Sequence, residues 1–247
     1  MKRFIALHFL PGAAGNFLSR CINLLDHTYV WSNGKTVTKT LEEKLDLLTY
    51  KDVIKYPNWI AFEATVKAYN IAKPHWDIGP DGNGVFVMHP SSVDKIKKTL
   101  EGWDENADAI TVNIYIDHED NLDWLILNGW HKYSYQTIHW FDHSIELKND
   151  LSVYKFNLAS IINGYNKFLP EFIKLAAFIN RTVTKDIEIA LHTLYKEWEK
   201  TIFQCSEVEK RRASLAEIFR KIAIDFERKK QHDIVEVDTD YKDQLKL

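Results

Sequence analysis

Residues 3–22 constrain the fold more tightly than any other stretch of the 247-residue chain. Arg3-Phe4-Ile5-Ala6-Leu7-His8-Phe9 is short, apolar and aromatic, and reads as a buried strand. It runs straight into Pro11-Gly12-Ala13-Ala14-Gly15-Asn16, after which Phe17, Leu18, Cys21, Ile22, Leu24 and Leu25 mark an apolar helix. Small residues let backbone approach a ligand closely, and a helix start aims free N–H groups and a positive dipole end at it. Gly12, Ala13, Ala14, Gly15, Asn16 and Phe17 therefore define an expected anion site, with Arg20 in the helix as a charged contact and Asn16 as an amide donor. A tight strand–helix turn that binds nothing would have the same sequence. A Walker A loop is excluded, because no Gly-Lys-Ser/Thr follows.

Three more segments read as buried strands: Val85–His89, Ile110–Ile116 and Ser152–Phe156. Helix signals lie between them. Thr40 to Glu43 forms a capping box before Leu41, Leu45 and Leu48, and Pro90-Ser91-Ser92 with Asp94 starts another helix. The third strand ends at Asp117-His118-Glu119-Asp120, acidic residues that suit the positive end of a following helix. Strands alternating with helices imply a parallel sheet covered on both faces, with ligands at the carboxyl ends of the strands. Loops 10–16, 89–92, 117–120 and 157–160 are then the places to look. Residues 73–84 are turn-rich and read as a surface loop. Helices are expected over about 165–179, 184–204 and 207–230, followed by a polar tail.

Composition narrows the function classes. Hydrophobic residues make up 45% of the chain and charged ones 27%, enough for a sizeable core. A formal charge of −3 excludes a globally basic nucleic-acid coat, so a nucleic-acid acceptor has no support here. Cys21 and Cys205 have no CxxC partner, which argues against a disulfide framework and a thiolate zinc site. The apolar start is broken by His8 and Pro11-Gly12, too early for a signal peptide, and no run approaches a membrane span. A soluble, cytoplasmic protein is expected.

The strand, loop and helix at 3–22, with two later segments, resemble the sulfotransferase family and its P-loop-like relatives. Pro11-Gly12-Ala13-Ala14-Gly15-Asn16-Phe17-Leu18 is similar to the loop that grips the 5′-phosphosulfate of 3′-phosphoadenosine-5′-phosphosulfate. Val85-Phe86-Val87-Met88-His89-Pro90 resembles the strand ending in that family's general-base histidine. Ser152-Val153-Tyr154-Lys155-Phe156-Asn157-Leu158, followed by Phe168, Phe172, Leu175, Ala176 and Phe178, is similar to its late strand and following helix. The resemblance implies a P-loop-like α/β sheet flanked by helices over residues 1–205. Residues 206–247 would add a C-terminal helical extension and tail. It also implies a nucleotide donor and an acceptor hydroxyl as partners, with His89 as catalytic base.

The chain departs from that pattern in three places. Gly12 and Ala13 stand where the family has lysine or serine, and Asn16 where it has a hydroxyl residue. The loop that usually brings Arg and Ser to the 3′-phosphate is here the acidic run Asp117 to Asp123. Asp117 is a candidate donor-site residue on position alone. Such a run would also suit a nucleotide-sugar glycosyltransferase with a divalent cation, as in a viral or bacterial modification enzyme. A non-catalytic binding module on the same fold is a third reading.

Other constellations carry less. An imidazole, with an ordinary pKa near 6.5, can act as a base near neutrality, but His89 could equally satisfy local backbone at a strand end. His139 and His143 share a face only on a helix, which the sequence supports weakly, and no metal site is expected there. Of eight tryptophans, Trp76 and Trp130 sit in polar surroundings and are candidates for stacking on a base or sugar.

Overall fold

A computed structural model describes residues 2–31, 40–47, 55–56, 78, 80–103, 108–116, 123–125, 128, 136–202 and 207. The elements in chain order are β1 (Arg3–Phe9), α1 (Gly15–Asn23), β2 (Thr28–Val30), α2 (Leu41–Leu47), β3 (Lys55–Tyr56), β4 (Asn83–Met88), α3 (Val93–Trp103) and β5 (Asp108–Tyr115). They continue as α4 (Gln136–Asn149), β6 (Val153–Asn157), α5 (Leu158–Ile162), α6 (Tyr165–Phe178) and α7 (Lys185–Glu199).

Every strand pairing is parallel, in the order β2-β4-β1-β5-β6, with short β3 sharing with β2 the edge of β4 that faces away from β1. The α/β class is as expected, and β1 lies at the centre. Its register with both neighbours sorts side chains by face: Ile5 lies beside Val85 and Ile110, Leu7 beside Val87 and Val112. Those residues join Phe17, Leu18 and Ile22 of α1, Phe168 and Phe172 of α6, and Leu191, Leu194 and Tyr195 of α7 in one core. On the other face Phe4, Ala6, Phe86 and Met88 pack with Ile96 and Leu100 of α3. Both faces of β1 are buried, so its sequence is nearly all apolar instead of alternating.

Local chemistry sets several boundaries. The Thr40–Glu43 capping box closes in both directions at 3.2 Å ahead of α2. Thr184 caps α7 through its Oγ1, and Asn157 caps α5 by accepting the Ala159 N–H at 2.8 Å. In the loop at 157–160, expected as a ligand position, the Asn157 side-chain oxygen is thus engaged at a helix start. β2 and β3 escape the sequence signals because each is only two or three residues long. Asn83 and Gly84, expected in a surface loop, begin β4, since pairing with Arg3 and Phe4 draws them into the sheet. Helix α4 is present and contains both His139 and His143. Loop 117–120, Trp76, Trp130, Cys205 and the expected helix 207–230 (beyond its first residue, Glu207) lie outside the described residues.

Among the described residues no helix is long and apolar enough to cross a membrane.

Candidate functional site

The site begins with topology. The connection leaving β1 passes β4 to reach β2, whereas the connection leaving β4 passes β1 to reach β5. Neighbouring strands whose connections diverge open a crevice at their carboxyl ends, where α/β sheets hold ligands. The 10–16 loop follows β1 and His89 follows β4, so both border this crevice.

Backbone shape in the loop accounts for part of its composition. Gly12 has φ 86, a conformation that side chains rarely adopt. Ala14 takes φ 55, ψ 21 and precedes α1 without any side-chain cap. Its carbonyl accepts the first helical N–H, from Leu18, at 2.9 Å. The N–H groups of Gly15, Asn16 and Phe17 consequently stand ahead of the first helical acceptor, with the helix dipole behind them.

The remaining loop residues divide between packing and polar roles. Ala13 is fully buried and its N–H closes a turn onto the Leu10 carbonyl at 2.9 Å. Gly15 is dictated by a neighbour: a Cβ there would fall 2.0 Å from the Phe9 ring. The Phe17 ring stacks on Trp198 at 4.4 Å and also meets Phe168 and Tyr195, so only its backbone N–H can serve a ligand. Asn16 keeps a buried Oδ1 that has no hydrogen-bond partner among the described residues. Arg20 lies in the last turn of α1, about 7–8 Å along the axis from Gly15 at 1.5 Å per residue. There it opposes the negative helix end, and reaching the loop requires the full length of its side chain. Asp117 is outside the described residues.

His89 is buried against the loop's base. Its Nδ1 lies 3.2 Å from the Phe9 carbonyl oxygen, and its ring meets the Phe9 ring edge-on at 5.8 Å. A carbonyl can only accept, so Nδ1 carries the hydrogen and donates, and in the neutral ring Nε2 holds the lone pair. The backbone that launches the loop therefore also orients the imidazole.

Two buried polar groups escape sequence reasoning. His8 is fully buried on the α3 face, between Met88 and Asn113 in register, with the His89 backbone as its hydrogen-bonding neighbour. Burial lowers its pKa to about 3; the backbone at His89 opposes this, and the His143 and His89 rings add to it. Asn113, also fully buried, directs Nδ2 to the Ser144 carbonyl at 3.5 Å, and its Oδ1 has no partner among the described residues. The one available signal was a polar residue inside an otherwise apolar strand.

His143 instead pairs with Glu146 at 2.8 Å, and no group of three metal-ligating side chains occurs among the described residues. Neither known protein families, nor curated proteins, nor solved structures give a match to this chain.

Proposed function

We propose that this chain is a group-transfer enzyme of sulfotransferase-like design, taking a phosphorylated nucleotide donor and a hydroxyl acceptor. The observation that carries the reading is the His89–Phe9 hydrogen bond, which couples a candidate base to the strand end that opens the loop. In this reading the N–H groups of Gly15, Asn16 and Phe17 hold the donor's phosphate end. The acceptor oxygen attacks the transferred sulfuryl group, forming the new S–O bond while the bond to the donor phosphate breaks. The electron pair leaves with the phosphate, whose charge the N–H groups and helix dipole stabilise. The acceptor's proton passes to His89 Nε2.

Thermal unfolding with adenosine 3′,5′-bisphosphate, uridine diphosphate with and without Mn²⁺, and adenosine triphosphate tests it. The bisphosphate at about 100 times its dissociation constant should stabilise by roughly 2.7 kcal/mol. That gain should vanish in Arg20→Ala. A response to uridine diphosphate that depends on Mn²⁺ would move the donor to a nucleotide sugar, and no response to any nucleotide would defeat the enzyme reading.

A further inference from the structure

We infer that His8 is a positioning residue for His89, each histidine bracing the backbone of the other's strand end across the β1–β4 crevice. The link to catalysis rests on the proposed role of His89 as base; the brace itself does not. Parallel register pairs His8 with Met88, the last residue of β4, so the next pair, Phe9 with His89, falls where β4 has ended. Side chains take over there. His89 Nδ1 lies 3.2 Å from the Phe9 carbonyl oxygen, and the His8 ring is hydrogen-bonded to the backbone at His89. Burial lowers the pKa of His8, whereas that backbone contact raises it. A contact that favours the charged ring, on which both nitrogens are donors, is a contact with an acceptor. The backbone acceptor is a carbonyl, so a His8 N–H donates to the His89 carbonyl oxygen.

The two bonds run in opposite directions between adjacent strand ends. The bond from His8 fixes where the His89 backbone lies, and the bond to Phe9 fixes where the His89 ring points and which nitrogen carries its hydrogen. Without the first, the ring is free to leave the Phe9 carbonyl and to exchange tautomers. His8 suits the anchoring role because it is fully buried between Met88 of β4 and Asn113 of β5, themselves fully buried, which hold its ring from both sides. The two rings also feel each other's charge, and burial keeps His8 neutral down to a pKa of about 3. A proton arriving at His89 Nε2 therefore meets no positive neighbour in His8.

Nuclear magnetic resonance of the full chain, labelled with ¹³C,¹⁵N-histidine, reports both rings without any nucleotide. The unmodified chain should show a scalar coupling from a His8 ring nitrogen to the His89 carbonyl carbon, with His89 a single tautomer protonated at Nδ1. In His8→Leu the His89 signals should move to a mixture of tautomers. His8→Gln, whose amide can still donate, should return them toward the unmodified pattern. A side chain that merely fills space would leave the His89 tautomer unchanged in His8→Leu, and that result would overturn the proposal. So would a change that His8→Gln does not reverse. Should His8→Leu not fold, the coupling in the unmodified chain decides the matter, its absence counting against the brace. With donor and acceptor present, kcat should fall about 10²-fold in His8→Leu at an unchanged KM for the nucleotide. An unchanged kcat beside an altered tautomer would remove the positioning role. An intact brace in a chain that binds no nucleotide would defeat the transferase reading alone.

Discussion

The ring of Phe9 fills the space in which a side chain at Gly15 would begin, with ring carbons 2.0–2.2 Å from an ideal Cβ. A glycine that looks like a phosphate-cradle residue is thus required by packing between the end of β1 and the start of α1. Gly15→Ala should destabilise the protein by about 1–3 kcal/mol through overpacking. Adding Phe9→Leu should recover part of that loss, and a double-mutant cycle in urea measures the coupling. Additive effects would mean the two positions do not compete for this space.

Ala14 offers the opposite case. An L-residue at φ 55 costs roughly 1–2 kcal/mol, and glycine does not incur that cost. Ala14→Gly should therefore stabilise the fold by up to about 1 kcal/mol after the added freedom of the unfolded chain is subtracted. A higher urea midpoint at unchanged slope is the expected reading. If loop shape matters for the donor, nucleotide affinity will stay level or rise.

His89→Asn separates orientation from basicity. An asparagine amide can still donate to the Phe9 carbonyl but has no basic nitrogen. Stability and nucleotide binding should be close to those of the unmodified chain, while turnover falls by about 10²–10⁴-fold. His89→Ala should lose the hydrogen bond as well, about 1 kcal/mol. Equal turnover in His89→Asn and the unmodified chain would remove His89 from the chemistry.

His8 makes the fold acid-sensitive. Its folded pKa of about 3 lies below the ordinary 6.5, so the unfolded chain takes up a proton that the folded chain refuses. Stability should fall as pH drops from about 6.5 toward 3 and be level for this group above 6.5. The His89 and His143 rings act on it in the same direction. Subtracting the profile of His8→Gln, measured by urea unfolding at each pH, should isolate that slope.

Lys44 acts at the alkaline end. Buried on α2, its Nζ donates to the Leu25 and Thr28 carbonyls at 2.6 and 3.1 Å and lies over the Tyr29 ring. Burial lowers its pKa to about 8, with Asp26 opposing the shift and Arg181 adding to it. Between about pH 8 and 10.5 the unfolded chain holds more protons, so this group's contribution to stability rises with pH. Lys44→Met should remove that rise. It should also destabilise at neutral pH, because two carbonyls lose their donor.

The parts of the fold legible in sequence are those that local chemistry specifies. β1 matches its expected bounds, Arg3–Phe9, because an apolar run that ends at Pro-Gly permits little else. The other expected strands shift by one or two residues, since pairing decides where a strand stops. The Thr40–Glu43 capping box and the starts of α6 and α7 follow from cap and periodicity signals that act within a few residues. β2 was invisible: three residues carry no periodicity, and Thr28–Val30 become a strand only because Asn83–Val85 lie alongside.

By itself the sequence determined that a strand, a small-residue turn and a helix must follow one another at 3–22, because spacing and glycine conformation are local properties. Tertiary structure alone decided what surrounds those residues. It placed His89 under the Phe9 carbonyl from 80 residues away and set the Phe9 ring against Gly15. It also turned Phe17 into core and set His8 beside Asn113 inside the sheet. Each of these depends on which strand lies beside which, and strand order is settled by burial of both sheet faces at once, a condition on the whole chain that no short segment records.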